Sequence, residues 1–227
     1  MKANPEAIFF DIGNTLIKGS EPSARRLLGA RLGLSAKQTK KVGRLIMAHP
    51  CSRPRELAQA LQPILPNHRA EFIESHLERL WQEQRCSVEE VSGATWVLQN
   101  IKRKSIKVGV ISNIWHPTYE GFCRRCRGIS DLLDYRILSY RLGHKKPDTR
   151  IYEHALQAAH LEARSCWMIG DTYELDMAPA LAVGMTAVWL LNDRQREPFI
   201  MEEMLHGGKQ KPHWIVNRLE DVLTLLH

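Results

Sequence analysis

The chain has 227 residues, 44% apolar and 25% charged, with no internal repeat; this excludes a fibrous or disordered chain and suits one large domain or a core with an inserted subdomain. No apolar stretch is long enough to cross a bilayer and the first residues lack the apolar run of an export signal, so a soluble, cytoplasmic protein without a membrane partner is expected. The net charge is +7, concentrated between Lys18 and Glu56, where ten Lys or Arg stand against Glu21 and Glu56.

The first apolar run, Ala7-Ile8-Phe9-Phe10, has strand length and ends on Asp11. No convincing strand follows from about 17 to 88. Helical patterns run instead over 24–32, 56–65 and 70–84, which predicts a helical insertion of about 70 residues after the first strand. Further strand-length runs lie at 107–111, 136–138, 167–169, 187–190 and 214–216. Helical periodicity separates or follows them, as in Ile151, Ala155, Leu156 and Ala159, and again in Leu219, Val222, Leu223 and Leu226. A shorter insertion between Asp193 and Pro212 carries a predicted helix over 197–205 and then the turn-forming Gly207-Gly208. Apolar strands alternating with helices predict an α/β fold, a doubly wound parallel sheet covered on both faces.

In such sheets ligands bind beyond the carboxyl ends of the strands. Asp11 follows the first strand, Ser112 and Asn113 the second, Lys145 and Lys146 the third across a short loop, and Gly170 and Asp171 the fourth. A carboxylate can attack phosphorus and form an acyl phosphate, provided a cation offsets the repulsion between two anions. Lys146 is placed to bind both the nucleophile and the phosphoryl oxygens. Asp11, Asp171 and a backbone carbonyl near residue 13 offer the hard oxygen donors that suit Mg²⁺. The basic segment 18–56 reads as a solvated helical face or as a surface that steers phosphorylated substrates; no recognition motif supports nucleic-acid binding, and none is expected. Cys123 and Cys126 form a lone CxxC with no second ligand pair, and reduced structural thiols are the reading for all five cysteines.

Phe9-Phe10-Asp11-Ile12-Gly13-Asn14-Thr15-Leu16 resembles motif I of the haloacid dehalogenase-like hydrolases, and Val110-Ile111-Ser112-Asn113 resembles motif II. The stretch from Gly143 to Tyr152, with its lysine before proline, looks like the motif III region, and Ile169-Gly170-Asp171-Thr172-Tyr173-Glu174-Leu175-Asp176 looks like motif IV. The four occur in order and in register with the strands. The resemblance implies a Rossmann-like core of residues 1–17 and 89–227 and a helical cap subdomain of residues 18–88. It implies that Asp11 is the nucleophile, with Ser112 and Lys146 completing the catalytic set. Thr15, Ser112, Asn113 and Lys146 would bind a small phosphorylated substrate. Asp11, the Gly13 carbonyl and Asp171 would hold Mg²⁺, with Asp176 in support.

One position departs from the pattern. Phosphatases of this family carry a second aspartate two residues after the nucleophile, to protonate the leaving group and then activate water. Gly13 can do neither, and such assistance contributes roughly 10²–10⁴ in rate. Three readings follow: a phosphatase using another acid or good leaving groups, a dehalogenase or phosphonate-type hydrolase, or a phosphate-binding or protein-interaction module with weak or no catalysis. Dehalogenation needs no metal, yet the motif IV acids are present. His116, just after motif II, is a candidate for the missing acid, and a solvent-facing loop histidine is its alternative. Trp81, Trp96 and Trp115 read as packing residues.

Overall fold

The computed structural model describes residues 4–19, 21–191 and 198–227. Six strands form one parallel sheet: β1 (Ala7–Phe10), β2 (Lys107–Ser112), β3 (Tyr135–Leu138), β4 (Cys166–Gly170), β5 (Thr186–Leu190) and β6 (Trp214–Val216). Their order is β3-β2-β1-β4-β5-β6. The chain builds outward from β1 through β2 to β3, then crosses to the other side of β1 for β4, so the order reverses beside β1. That reversal opens a crevice at the carboxyl end of β1, where ligands bind in open sheets.

Residues 21–86, after β1, carry α1 (Ala24–Arg31), α2 (Ala36–Ala48), α3 (Pro54–Leu61) and α4 (Ala70–Cys86). The sheet-covering helices are α5 (Ala94–Arg103), α6 (His116–Arg125), the short α7 (Arg127–Ser130) and α8 (Ser139–Leu142), α9 (Arg150–Ala159) and α10 (Ala178–Ala182); α11 (Pro198–Leu205) follows β5. Every residue of β1 is buried because both faces are covered: Ile8 and Phe10 pack with Val97, Leu98 and Phe122 on one side, Ala7 and Phe9 with Tyr152, Ala155 and Ala180 on the other. This explains why the strand reads as an unbroken apolar run.

Helices α1 to α4 have an apolar cluster of their own, including Leu28, Ile46, Leu61, Leu77 and Trp81, joined from the sheet side by Trp115. The segment leaves and rejoins the sheet at one crossing. There the Lys18 N–H donates to Glu89 O (2.8 Å) and the Val91 N–H donates to Leu16 O (3.0 Å). Helix α2 starts on a reciprocal cap in which Ser35 and Gln38 each accept the other's backbone N–H. Helix α3 begins at Pro54, where a missing N–H costs nothing, and stops at Leu61 rather than reaching residue 65, because Pro63 cannot donate the next helical bond.

The periodic stretch near the end of the chain winds as a tighter 3-10 helix, Leu219–Leu225, fixed at its start by the Arg218 N–H donating to Asp221 Oδ2 (3.0 Å). For the helix expected over 197–205, α11 covers the described part, while Asp193 to Glu197 lie outside the described residues. Gly207 turns the chain with φ of 77°. No helix among the described residues is long and apolar enough to cross a membrane.

Candidate active site

Asp11 is the first residue beyond β1, and its N–H continues the ladder by donating to Ile169 O (2.9 Å). The carboxylate is thereby fixed at the crevice mouth and is 9% exposed. Lys146 lies against it with only 2% exposure; its Nζ donates to Asp11 Oδ1 at 2.6 Å and to Asp176 Oδ1 at 2.5 Å. Asn113 sets the lysine's backbone. The Lys146 N–H donates to Asn113 Oδ1 (2.8 Å) and Asn113 Nδ2 donates to Lys146 O (2.9 Å), so the side chain after β2 pins the loop after β3.

Asp176 sits on a π-helical turn, Tyr173–Met177, and is 1% exposed. Its second oxygen accepts the Thr172 N–H (3.0 Å). The approach depends on Gly170, since a Cβ there would lie 2.4 Å from Asp176 Cγ. Asp171 is anchored through its carbonyl, which accepts from Trp189 Nε1 (2.9 Å). Carboxylate oxygens of Asp11, Asp171 and Asp176 lie within 4.8 Å of one another.

These charges do not balance. Three carboxylates face one ammonium, which leaves two negative charges in excess when all are ionised. Burial alone would lower the Lys146 pKa, but Asp11 and Asp176 outweigh it and hold the ammonium above its ordinary range. Burial is the main influence on Asp176; with repulsion from Asp11 and Asp171 it pushes this carboxyl up to about 7 despite the pull of Lys146. Hard oxygen donors with that charge excess fit a divalent cation such as Mg²⁺. Asp11 and Asp171, the less buried two of the three, would be its side-chain ligands, with Asp176 behind them held by Lys146 and the Thr172 N–H.

Gly13 opens onto a cleft of about 150 Å³. Ser112 and Asn113 line it from the sheet, and Met47, Gln84 and Val88 from the helical segment or its return. A Cβ on Gly13 would meet only Asp11 Oδ2, at 3.8 Å. No described residue lining this cleft is a carboxylic acid or a histidine. Ser112 is buried in the cleft wall. Thr15 is fully buried, does not line the cleft, and its hydroxyl has no hydrogen-bond partner among the described residues. His116 opens α6 and is not in the cleft lining. It stacks on Trp81 (5.6 Å between centroids) and meets Tyr140 edge-on, and burial lowers its pKa. It therefore fits neither of its two expectations.

Trp81 and Trp115 pack edge to face, with Trp115 also forming cleft wall, whereas Trp96 is 52% exposed on α5 and is not a packing residue. Sequence reasoning missed Gln84, which accepts from Thr118 Oγ1 (3.0 Å) and Trp115 Nε1 (3.4 Å) and so ties α4 to α6 beside the cleft. Nothing in the sequence singles it out.

A family model described as haloacid dehalogenase-like hydrolase matches residues 5–184. The chain belongs to the haloacid dehalogenase-like hydrolases. Among curated relatives of this hydrolase, haloacid dehalogenase-like hydrolase domain-containing protein 3 of Homo sapiens is 28% identical over 153 residues, 65% of this chain and 54% of that protein. Glyceraldehyde 3-phosphate phosphatase of Methanothermobacter thermautotrophicus is 26% identical over 201 residues, covering 85% of this chain and 88% of its own. The match thus spans about half the length of the first of these relatives and most of the second. Among solved structures, a 2-haloacid dehalogenase from Pseudomonas syringae superposes with a TM-score of 0.66 at 20% identity, covering 97% of both chains, which places the hydrolase in the same fold.

Proposed function

We propose that this hydrolase is a Mg²⁺-dependent phosphatase of small phosphorylated metabolites, working through an aspartyl phosphate on Asp11. The observation that carries the reading is the buried Asp11–Lys146–Asp176 bridge with Asp171 beside it. Residues 1–17 and 89–227 act as the catalytic core and residues 18–88 as a cap that selects the substrate. The relative named as a phosphatase acts on a phosphorylated three-carbon aldehyde by its name, which supports the substrate class.

Asp11 Oδ1 is held by Lys146, so Oδ2, on the Gly13 side, is the attacking oxygen. It forms the new bond to phosphorus as the ester oxygen leaves with its electron pair. The Lys146 ammonium, protonated throughout, keeps the nucleophile in place and offsets charge on the phosphoryl oxygens. Ser112 donates its hydroxyl to one of those oxygens, while Asn113 acts as a positioning residue through the Lys146 backbone. Thr15, buried in the turn after β1 and away from the cleft, would steady that turn and not touch the substrate. Mg²⁺ held by Asp11, Asp171 and the Gly13 carbonyl would supply charge neutralisation between carboxylate and phosphoryl group. Water then attacks phosphorus and frees Asp11.

With glycine at position 13 and no acid in the described cleft lining, the leaving group departs without a proton donor from the cleft. Aryl phosphates, whose phenolate is a stable anion, are the better substrates. That same missing acid favours a second reading, a slow or inactive phosphate-binding module. The two are separated by measuring phosphate release from a panel of phosphomonoesters with Mg²⁺ and with chelator. The phosphatase reading expects release that needs Mg²⁺ and drops at least 10³-fold in Asp11→Asn, on the scale of losing a covalent nucleophile. Release without metal, or undiminished in Asp11→Asn, would count against it. The binding-module reading expects no release from any ester, with phosphate binding retained in Asp11→Asn.

A further inference from the structure

A second cavity, of about 350 Å³, lies against the first turn of α1, the middle of α2 and the loop before Lys146. Arg25, Arg26, Lys40, Arg44 and Lys145 line it, with Glu21 as the sole acid among its described lining residues. Glu21 approaches Arg26, at 3.7 Å, and both are exposed. Arg25, Lys40, Arg44 and Lys145 make no ion pair among the described residues. Five cations therefore share one hollow with a single acid, and that acid approaches only Arg26.

The cations are not a random surface scatter. Lys145 is half-buried and shares the lining with Arg44 and Arg25; its pKa is lowered by burial first and then by their charges. Arg25 lies across α2 at Gly43, where a Cβ would come 2.8 Å from Arg25 Cδ; glycine at that position leaves the groove the arginine stem occupies. Like charges gathered around one hollow repel unless an anion joins them, and a guanidinium group suits carboxylate or phosphate through two parallel hydrogen bonds.

The position is equally informative. Ser23 and Met47 line both this cavity and the cleft beside Gly13, so the two hollows lie side by side. Lys145 is also the immediate chain neighbour of Lys146. Asp11 lines neither hollow; Gly13, two residues after it, lines the cleft, and Lys145, one residue before Lys146, lines the basic hollow.

We propose that this hollow is a second anion subsite, and that the preferred substrate is a phosphomonoester bearing a further carboxylate or phosphate group held by Arg25, Arg44 and Lys145. This rests on the phosphatase reading of the cleft. The ordinary alternative is diffuse steering by the positive segment as a whole, which would make the charges interchangeable.

The test uses paired phosphomonoesters of three to six carbons, each pair identical except that a carboxylate, or a second phosphate, replaces a hydroxyl. The quantity read is the ratio of kcat/KM between the members of a pair. The wild type should favour the member with the extra anion. The double variant Arg25→Gln/Arg44→Gln should lower that ratio at least tenfold. Lys37→Gln removes a charge from an exposed position of the same segment, outside the hollow, and should leave the ratio within twofold of wild type. The carboxylate and phosphate arms tell which anion the subsite takes. No preference in the wild type, an unchanged ratio in the double variant, or an equal drop in Lys37→Gln overturns the proposal. If no ester is hydrolysed, the phosphatase reading fails. The subsite is then judged by calorimetric binding of the same esters to Asp11→Asn. Tenfold weaker binding of the extra-anion member on adding the two arginine changes supports it, and equal binding overturns it.

Discussion

Lys145 and Lys146 are chain neighbours with opposite electrostatic settings. Lys146 is 2% exposed and donates to two carboxylates at 2.5 and 2.6 Å. Lys145 is half-buried, has no ion pair among the described residues, and shares the lining of its hollow with Arg25 and Arg44. A fully buried charge persists only when paired, and Lys146 meets that condition from within the protein. Lys145 keeps contact with water and leaves its pairing to something outside the chain. On the proposed reading, one lysine belongs to machinery assembled on folding and the other to a subsite that a ligand would complete.

The strongest way to break this contrast is to remove the buried partner. Lys146→Met leaves Asp11 and Asp176 facing each other without a counter-charge. Breaking a buried pair in this way costs about 3–5 kcal/mol, so urea unfolding should shift by that much, with activity lost. A stable variant would mean that the bridge does not neutralise the acids. Gly13→Asp sharpens the contrast from the catalytic side. The position has open space, with only Asp11 Oδ2 near a new Cβ, so the added acid should fit. Turnover of alkyl phosphates should rise by about 10²-fold or more, and of aryl phosphates much less, as expected for general acid assistance. Equal gains for both classes would show that leaving-group protonation is not what the wild type lacks.

The smallest effect should come from a pair of similar length but greater exposure. Lys102 donates to Asp134 Oδ2 at 2.6 Å, and the Val108 N–H donates to the same oxygen at 2.8 Å. Burial alone would raise this carboxyl, but those hydrogen bonds and the charge of Lys107 outweigh it and hold it below the usual range. A carboxylate with a depressed folded pKa stabilises above its unfolded value, near 3.9, and the benefit fades as pH falls through the folded one. Asp134→Asn should therefore cost about 1–2 kcal/mol at neutral pH, with the gap to wild type closing below about pH 4 in urea titrations. A gap that persists at low pH would assign the loss to shape rather than charge.

The sequence carried the sheet edge well and the helical segment poorly, for a physical reason. A strand buried on both faces is largely apolar, so its end is marked where polarity returns, as at Asp11 and Asp171 and, one residue early, at Ser112, the last residue of β2. Those ends all lie on one edge, which lets a one-dimensional pattern specify a three-dimensional neighbourhood. The lining of the cleft has no such rule. Gln84, Met47, Ser23 and Thr118 meet because helices pack at particular angles, and spacing along the chain does not encode that. Lys145 reads as a solvated neighbour of Lys146, and only the fold brings Arg25 and Arg44 into the same lining. The start of α2 was readable from Ser35-Ala36-Lys37-Gln38, a reciprocal-cap pattern that the search for apolar periodicity passes over.

The most direct measurement concerns Asp11 itself. Wild-type protein is mixed with excess aryl phosphate and Mg²⁺, quenched in acid within a turnover, reduced with borohydride and mapped by mass spectrometry. An acyl phosphate on Asp11 becomes homoserine at that position alone, and without an acid at position 13 to activate water it should accumulate to a readily measured fraction. Phosphate released over the same interval with residue 11 unmodified would contradict the account.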